Sequence, residues 1–199
     1  MKLLLIGHTG TLGTGVYNYF ADKEEVITAS RSKGDVQVDI TDPKSIQQMF
    51  DNVGKVDAII STAGATTFEP LNQLTPEKNH FSIMSKLEGQ VNLVLIGQHF
   101  LNPNGSITLT SGILMDEFIP TGTSSAMVNG ALTSFVKAAS LECQQGIRIN
   151  AVSPNALLES WSDYQDYFKG FVPVAIKDVI PAFEKSIYGI MTGETFKVY

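Results

Sequence analysis

At 199 residues, 43% hydrophobic and 17% charged, the chain has the make-up of one compact domain over 1–199 and excludes a disordered or fibrous polymer. Its net charge of −6 argues against a nucleic-acid backbone or an acidic membrane surface as partner. A single cysteine, Cys143, excludes an internal disulfide and fits a reducing compartment, where its place beside Leu141 reads as inert packing.

The chain opens on an apolar run, Lys2 to Gly7, that reads as a buried strand and is too short for a signal peptide or a membrane span, so a cytoplasmic protein is expected. Glycines follow at every third position, Gly7, Gly10 and Gly13. A helix over 12–21 then carries Leu12, Val16 and Phe20 on one face. A strand feeding a helix through a glycine turn offers free amides and the positive end of the helix dipole to a pyrophosphate. The candidate contacts are Gly7, Thr9, Gly10, Thr11, Leu12 and Gly13, with His8 either beside them or merely exposed.

Glu25–Ser30 reads as the second strand. NAD-binding proteins place an acid after it, about 20 residues beyond the glycines, for the ribose 2′-hydroxyl; an Arg there suits a 2′-phosphate. Here the stretch is Ser30-Arg31-Ser32-Lys33, without an acid, so NADP(H) is the expected cofactor, with Arg31 as a fork for phosphate oxygens and the two serines as further donors. Val36–Ile40 reads as the third strand. Asp39 there accepts from an adenine amine or begins the turn with Thr41.

Thr41-Asp42-Pro43 starts a helix bearing Ile46, Met49 and Phe50. Val56–Ile60 is a strand that closes on Ser61-Thr62-Ala63-Gly64, where Ala63 and Gly64 fit close passage of backbone against the cofactor. Thr75-Pro76-Glu77 opens a helical region, and one long helix is expected from Phe81 to Phe100. After a turn at 102–105 come a strand over Ser106–Thr110, a helix over Thr123–Gln144 ending at Gln145-Gly146, and a strand over Arg148–Val152. Helices near 157–168 and 176–190 and a strand at Thr195–Val198 complete the chain. Apolar strands alternating with helices predict an α/β fold: a doubly wound Rossmann domain with a parallel seven-stranded sheet and helices on both faces. The polar or small strand ends, Gly7, Ser30, Asp39, Ser61 and Thr110, put the chemistry on one edge.

At this point the chain resembles the short-chain dehydrogenase/reductase family. The resemblance rests on the glycine segment, Asp39, Thr62-Ala63-Gly64, Leu109-Thr110-Ser111-Gly112 and Gly146 to Pro154, in that order. It implies that Ser111 is the family's serine after the fifth strand and that Pro154 contacts the cofactor. The family's Tyr-x-x-x-Lys pair falls on Ser125 and Asn129, and its helix asparagine on Lys86. No tyrosine lies between 20 and 163. The candidate catalytic set is therefore Ser111, Ser125, Asn129 and Lys86, with Lys86 restoring the charge lost at Asn129; no metal is expected. His80 and His99 are poorly placed to help, and Trp161, Tyr164 and Tyr167 either line a pocket or pack a lid.

The expected function is NADP(H)-dependent reduction or oxidation of a small carbonyl or alcohol. The alternative is a catalytically silent NADP(H)-binding regulatory or redox-sensing protein, and a lyase or epimerase is a weaker third. The resemblance also implies a homodimer or homotetramer paired through the two long helices, and a small-molecule substrate.

Overall fold

The computed structural model describes all residues from Met1 to Tyr199. Seven parallel strands form one sheet: β1 (Lys2–Ile6), β2 (Glu25–Ser30), β3 (Val36–Gln37), β4 (Val56–Ser61), β5 (Leu101–Thr110), β6 (Arg148–Pro154) and β7 (Thr195–Val198). Their spatial order is β3-β2-β1-β4-β5-β6-β7. The helices are α1 (Thr11–Phe20), α2 (Pro43–Val53), α3 (Pro76–Ser82), α4 (Gly89–Gly97), α5 (Thr123–Ser140), α6 (Trp161–Tyr164) and α7 (Ile176–Tyr188). None is long and apolar enough to cross a membrane.

Both faces of the sheet are covered, and β1 shows how. Leu3 and Leu5 face Val16 and Phe20 of α1 and Phe183 of α7, while Leu4 and Ile6 face Phe50 of α2, Leu93 of α4 and Leu132 of α5. All are buried, each side chain worth about 1.5–3 kcal/mol of transfer free energy. This is the doubly wound α/β arrangement expected from the apolar strands. The chain winds outward from β1 through β2 to β3, then returns to β4 on the other side of β1. The two directions part at the C-terminal ends of β1 and β4, which opens a crevice there.

Several boundaries differ from the sequence reading. The helical region expected to open at Thr75-Pro76-Glu77 forms as α3, and the long helix expected over 81–100 runs on from it, interrupted by a π-helical turn at Ile83–Glu88 before α4 and ending in a 3₁₀ turn at Gln98–Phe100. The hydroxyls of Ser82 and Ser85 accept from the backbone N–H of Thr67 (2.9 Å) and Ala65 (3.0 Å), tying the loop after β4 to that turn. Helix α5 stops at Ser140 rather than Gln144, where the N–H groups of Leu141 and Glu142 bond back three residues to Ala138 O and Ala139 O; Gln145 and Gly146, at left-handed φ of 56° and 71°, then reverse the chain into β6. Strand β3 pairs over two residues only, against Ala29 and Ser30. Strand β5 begins at Leu101, with its register against β4 shifted between Val56 and Ala58 to absorb the turn at 102–105. The helical stretch expected near 157–168 is shorter, a 3₁₀ turn at Leu158–Ser160 followed by α6. Cys143 is half-buried against the core, and burial pushes its thiol pKa up.

Candidate active site

The strand-to-helix loop is built by packing. Gly7 has φ +91°, and a Cβ there would lie 2.7 Å from the Ala63 nitrogen. A Cβ on Gly13 would lie 2.1 Å from the Gly7 carbonyl oxygen and 2.7 Å from Thr62 Oγ1. These two glycines let the loop close on the end of β4. Gly10 differs: a Cβ would meet only the Gly7 oxygen, at 3.7 Å, so its missing side chain leaves room rather than relieving a clash. Gly10 is the N-cap of α1, which has no side-chain cap and no acid in its first turn. Its leading amides therefore lack any side-chain acceptor, as an anion site requires. Leu12 and Gly13 are themselves buried behind the loop.

A cavity of about 300 Å³ runs from this loop toward β2 and β3. Gly7, Thr9, Gly10, Ser30, Arg31, Ala63 and Gly64 line it, with Val38 and Ile40 as apolar wall. Arg31 is exposed at the rim, its Nε 3.8 Å from Asp39 Oδ2. Asp39 Oδ1 accepts from the Thr41 hydroxyl (2.7 Å) and amide (3.0 Å), and these bonds, helped by Arg31, hold its carboxyl below the usual range. Asp39 thus makes the expected turn bonds with Thr41 through Oδ1, while its Oδ2 faces Arg31. Ser30 donates its hydroxyl proton to Lys33 O at 2.6 Å and so shapes the loop. Ser32 is exposed and does not line the cavity. Asp35, which the sequence reading missed, accepts from the Thr28 amide and hydroxyl at 2.9 and 2.7 Å and anchors the same loop. His8 is half-buried beneath it: its Nδ1 is 3.3 Å from Ala29 O, and its ring fills the space a Cβ on Gly34 would need.

A second cavity, about 380 Å³, shares Thr62 and Gly64 with the first, so the two form one cleft across the switch point. It brings together all four residues of the candidate catalytic set, Lys86, Ser111, Ser125 and Asn129, and also Thr11 and Pro154. Lys86 sits in the π-helical turn, whose backbone lies so close to Gly64 (φ +117°) that a Cβ there would be 2.9 Å from Lys86 Cα. Its ammonium donates to Ser111 O at 3.3 Å. Gln90 steadies this floor: its amide donates to Thr110 O and accepts from Thr110 N, both at 2.9 Å. No carboxylate lines the cavity. Burial lowers the Lys86 pKa from 10.5 to about 8, because the charged form loses water without gaining a counter-ion.

The hydroxyls are arranged in a way the sequence did not reveal. Ser111 is buried and donates to the Asn129 carbonyl oxygen at 3.0 Å, into the backbone of α5. Ser125 donates to Thr66 Oγ1 at 2.5 Å. Asn129 Oδ1 is buried with no hydrogen-bond partner.

Over this cleft lies a lid from 156 to 175, tied to itself at its base by Val174 N–H donating to Ala156 O (3.0 Å) and Leu158 N–H to Val174 O (2.8 Å). Tyr164 and Phe168 line the cavity, while Tyr167 and Trp161 pack the lid. Phe68, from the loop after β4, lies 5.6–6.5 Å between ring centres from Tyr164, Tyr167 and Phe168. Phe68 and Thr66 escaped the sequence reading, since a loop carries no periodicity; their place just after Ala63-Gly64 was the only signal. His99 lines a separate cavity with Lys55, and His80 is exposed on α3.

A family model described as enoyl-(acyl carrier protein) reductase matches residues 16–174. Versicolorin reductase stcU of Emericella nidulans is 26% identical over 155 residues, 71% of this chain and 59% of that protein. Versicolorin reductase 1 of Aspergillus parasiticus is 25% identical over the same length and shares. The chain thus spans a little over half the length of the curated relatives it matches. Among solved structures, the protein lin1944 from Listeria innocua is 56% identical with a TM-score of 0.98, all of both chains being covered. A small-chain dehydrogenase in complex with NADPH is 26% identical with a TM-score of 0.87, covering 100% of this chain and 96% of the other.

Proposed function

The chain belongs to the short-chain dehydrogenase/reductase family, and on that footing we propose that it is an NADPH-dependent oxidoreductase that reduces a small carbonyl compound with Lys86 as the proton source. The observation that carries this reading is the ammonium of Lys86, unpaired by any carboxylate, in a cavity continuous with the glycine-loop cleft. The residues present fit the cofactor. Gly10 leaves open space before uncapped amides, Arg31 offers a guanidinium at the far end, and a relative of 26% identity is described in complex with NADPH. The amides of Thr9 and of Thr11 to Gly13 would hold the pyrophosphate, Arg31 the 2′-phosphate, and Ala63, Gly64 and Pro154 the passing backbone face. Asn129 Oδ1, otherwise unpaired, would accept from a hydroxyl of the nicotinamide ribose.

When bound, the reduced nicotinamide supplies the hydride for the carbonyl carbon. Lys86, protonated below its pKa of about 8, attracts charge developing on the carbonyl oxygen, gives it one proton, and takes one back from solvent. Phe68, Tyr164 and Phe168 supply apolar wall for the substrate body. The same reading takes residues 1–199 as one nucleotide-binding domain that self-associates through α4 and α5, where Leu95 and Met127 are exposed.

The test is to follow NADPH absorbance with purified protein and a panel of small aldehydes and ketones; absence of turnover on every member overturns it. Arg31→Ala separates the cofactors. NADPH affinity is expected to fall about 10- to 100-fold, the worth of one or two charge-assisted hydrogen bonds, while NADH affinity stays within about threefold. Calorimetric titration with both coenzymes checks this, and an unchanged NADPH affinity removes Arg31 from the phosphate site.

A further inference from the structure

We propose that Thr66, held in place by Ser125, is the neutral hydroxyl that binds the substrate's carbonyl oxygen. This rests on the reductase reading above and deepens it. In such a site a carbonyl oxygen needs a donor besides the cation, and the two serines of the candidate catalytic set can be followed to where their protons go. The Ser111 proton is directed to Asn129 O at 3.0 Å, away from the cavity and into α5. The Ser125 proton goes to Thr66 Oγ1. Thr66, half-buried and part of the cavity lining, accepts that bond and has no acceptor in the protein for its own proton. The chain of hydroxyls thus runs Ser125 to Thr66 and ends in the cavity. A donor that itself accepts a hydrogen bond is polarised by it, which strengthens the bond it makes onward.

Placement agrees. Thr66 lies two residues past Gly64, whose backbone packs on Lys86, and its loop is fastened on either side by Ala65 N–H to Ser85 Oγ and Thr67 N–H to Ser82 Oγ. Neutral donor and ammonium therefore line one cavity on fixed backbone. Ser125 is buried and its proton goes to Thr66, so in this arrangement it acts through Thr66 as a positioning residue.

The experiment compares Thr66→Val, Thr66→Ser and Ser125→Ala with the parent protein, on a carbonyl the parent reduces. Thr66→Val keeps the shape and removes the hydroxyl. It is expected to lower kcat about a hundredfold, as loss of one oxyanion donor does, with NADPH affinity unchanged and the melting temperature lowered by a few degrees because Ser125 loses its acceptor. Thr66→Ser is expected to restore kcat to within a few-fold of the parent, and Ser125→Ala to lower it by less than Thr66→Val. Parent-like kcat in Thr66→Val, or equal losses in Thr66→Val and Thr66→Ser, overturns the assignment to Thr66 and leaves the reductase reading standing. A parent protein that turns over no carbonyl overturns both.

Discussion

Replacing Lys86 with Met is expected to lower kcat/KM for carbonyl reduction by about 10²–10⁴-fold, the usual contribution of a placed acid. The pH profile gives the sharper result. A proton donor must be protonated, so in the parent log kcat/KM should fall with unit slope as pH rises through about 8, and Lys86→Met should lose that limb. Stability should move the other way. The Lys86 pKa is lowered in the folded state, so the charged form is disfavoured there relative to the unfolded chain. That cost is full below about 8 and fades as pH climbs toward 10.5, where the unfolded lysine also loses its proton. Lys86→Met should therefore be more resistant to urea than the parent at pH 7, with the difference shrinking by pH 10. A variant that loses stability at pH 7 and retains turnover would contradict both halves.

The second large effect divides the glycine loop into two kinds of position. Gly13→Ala would put a methyl 2.1 Å from the Gly7 carbonyl, in backbone that has nowhere to go. Overpacking of this kind costs about 1–3 kcal/mol, so thermal unfolding should begin several degrees lower, and coenzyme binding should be lost with the loop geometry. Gly10→Ala should behave differently. Its φ of −78° suits any residue and its methyl meets nothing closer than 3.7 Å, so the fold should melt as the parent does. Yet the methyl occupies the approach to the leading amides of α1, and NADPH affinity should drop by about 100-fold, the worth of two charge-assisted hydrogen bonds. Melting curves and coenzyme titration on the two variants check the division. Normal affinity in Gly10→Ala would move the diphosphate elsewhere.

The readable parts of this fold were those governed by burial on both faces. Leu3 to Ile6 and Val56 to Ile60 have no polar alternation because helices cover both sides, and the glycine spacing pointed to the loop that closes on Ala63. The π-helical turn was hidden because one widened turn barely disturbs the apolar period, and the bonds that tie it down, from Ser82 and Ser85, reach partners 15 and 20 residues away. The same turn carries Lys86, so residue type was legible and direction was not. Ser111, Ser125 and Asn129 were found by order along the chain and do line one cavity, but which hydroxyl donates to which is decided by rotamers, and no spacing rule encodes those. At Asp39 and Ser30 the side chains also make local turn bonds, which spacing along the chain does not distinguish from contacts to a ligand.

Because the two ends of the lid are bonded to each other at Ala156, Leu158 and Val174, the intervening residues form a cassette whose boundary conditions are met by its own backbone. Closing a loop between ends already held together costs little more entropy when its length or content changes. New pocket shapes can thus arise by rewriting this one stretch around Tyr164 and Phe168, while the seven strands, the glycine loop and Lys86 stay as they are.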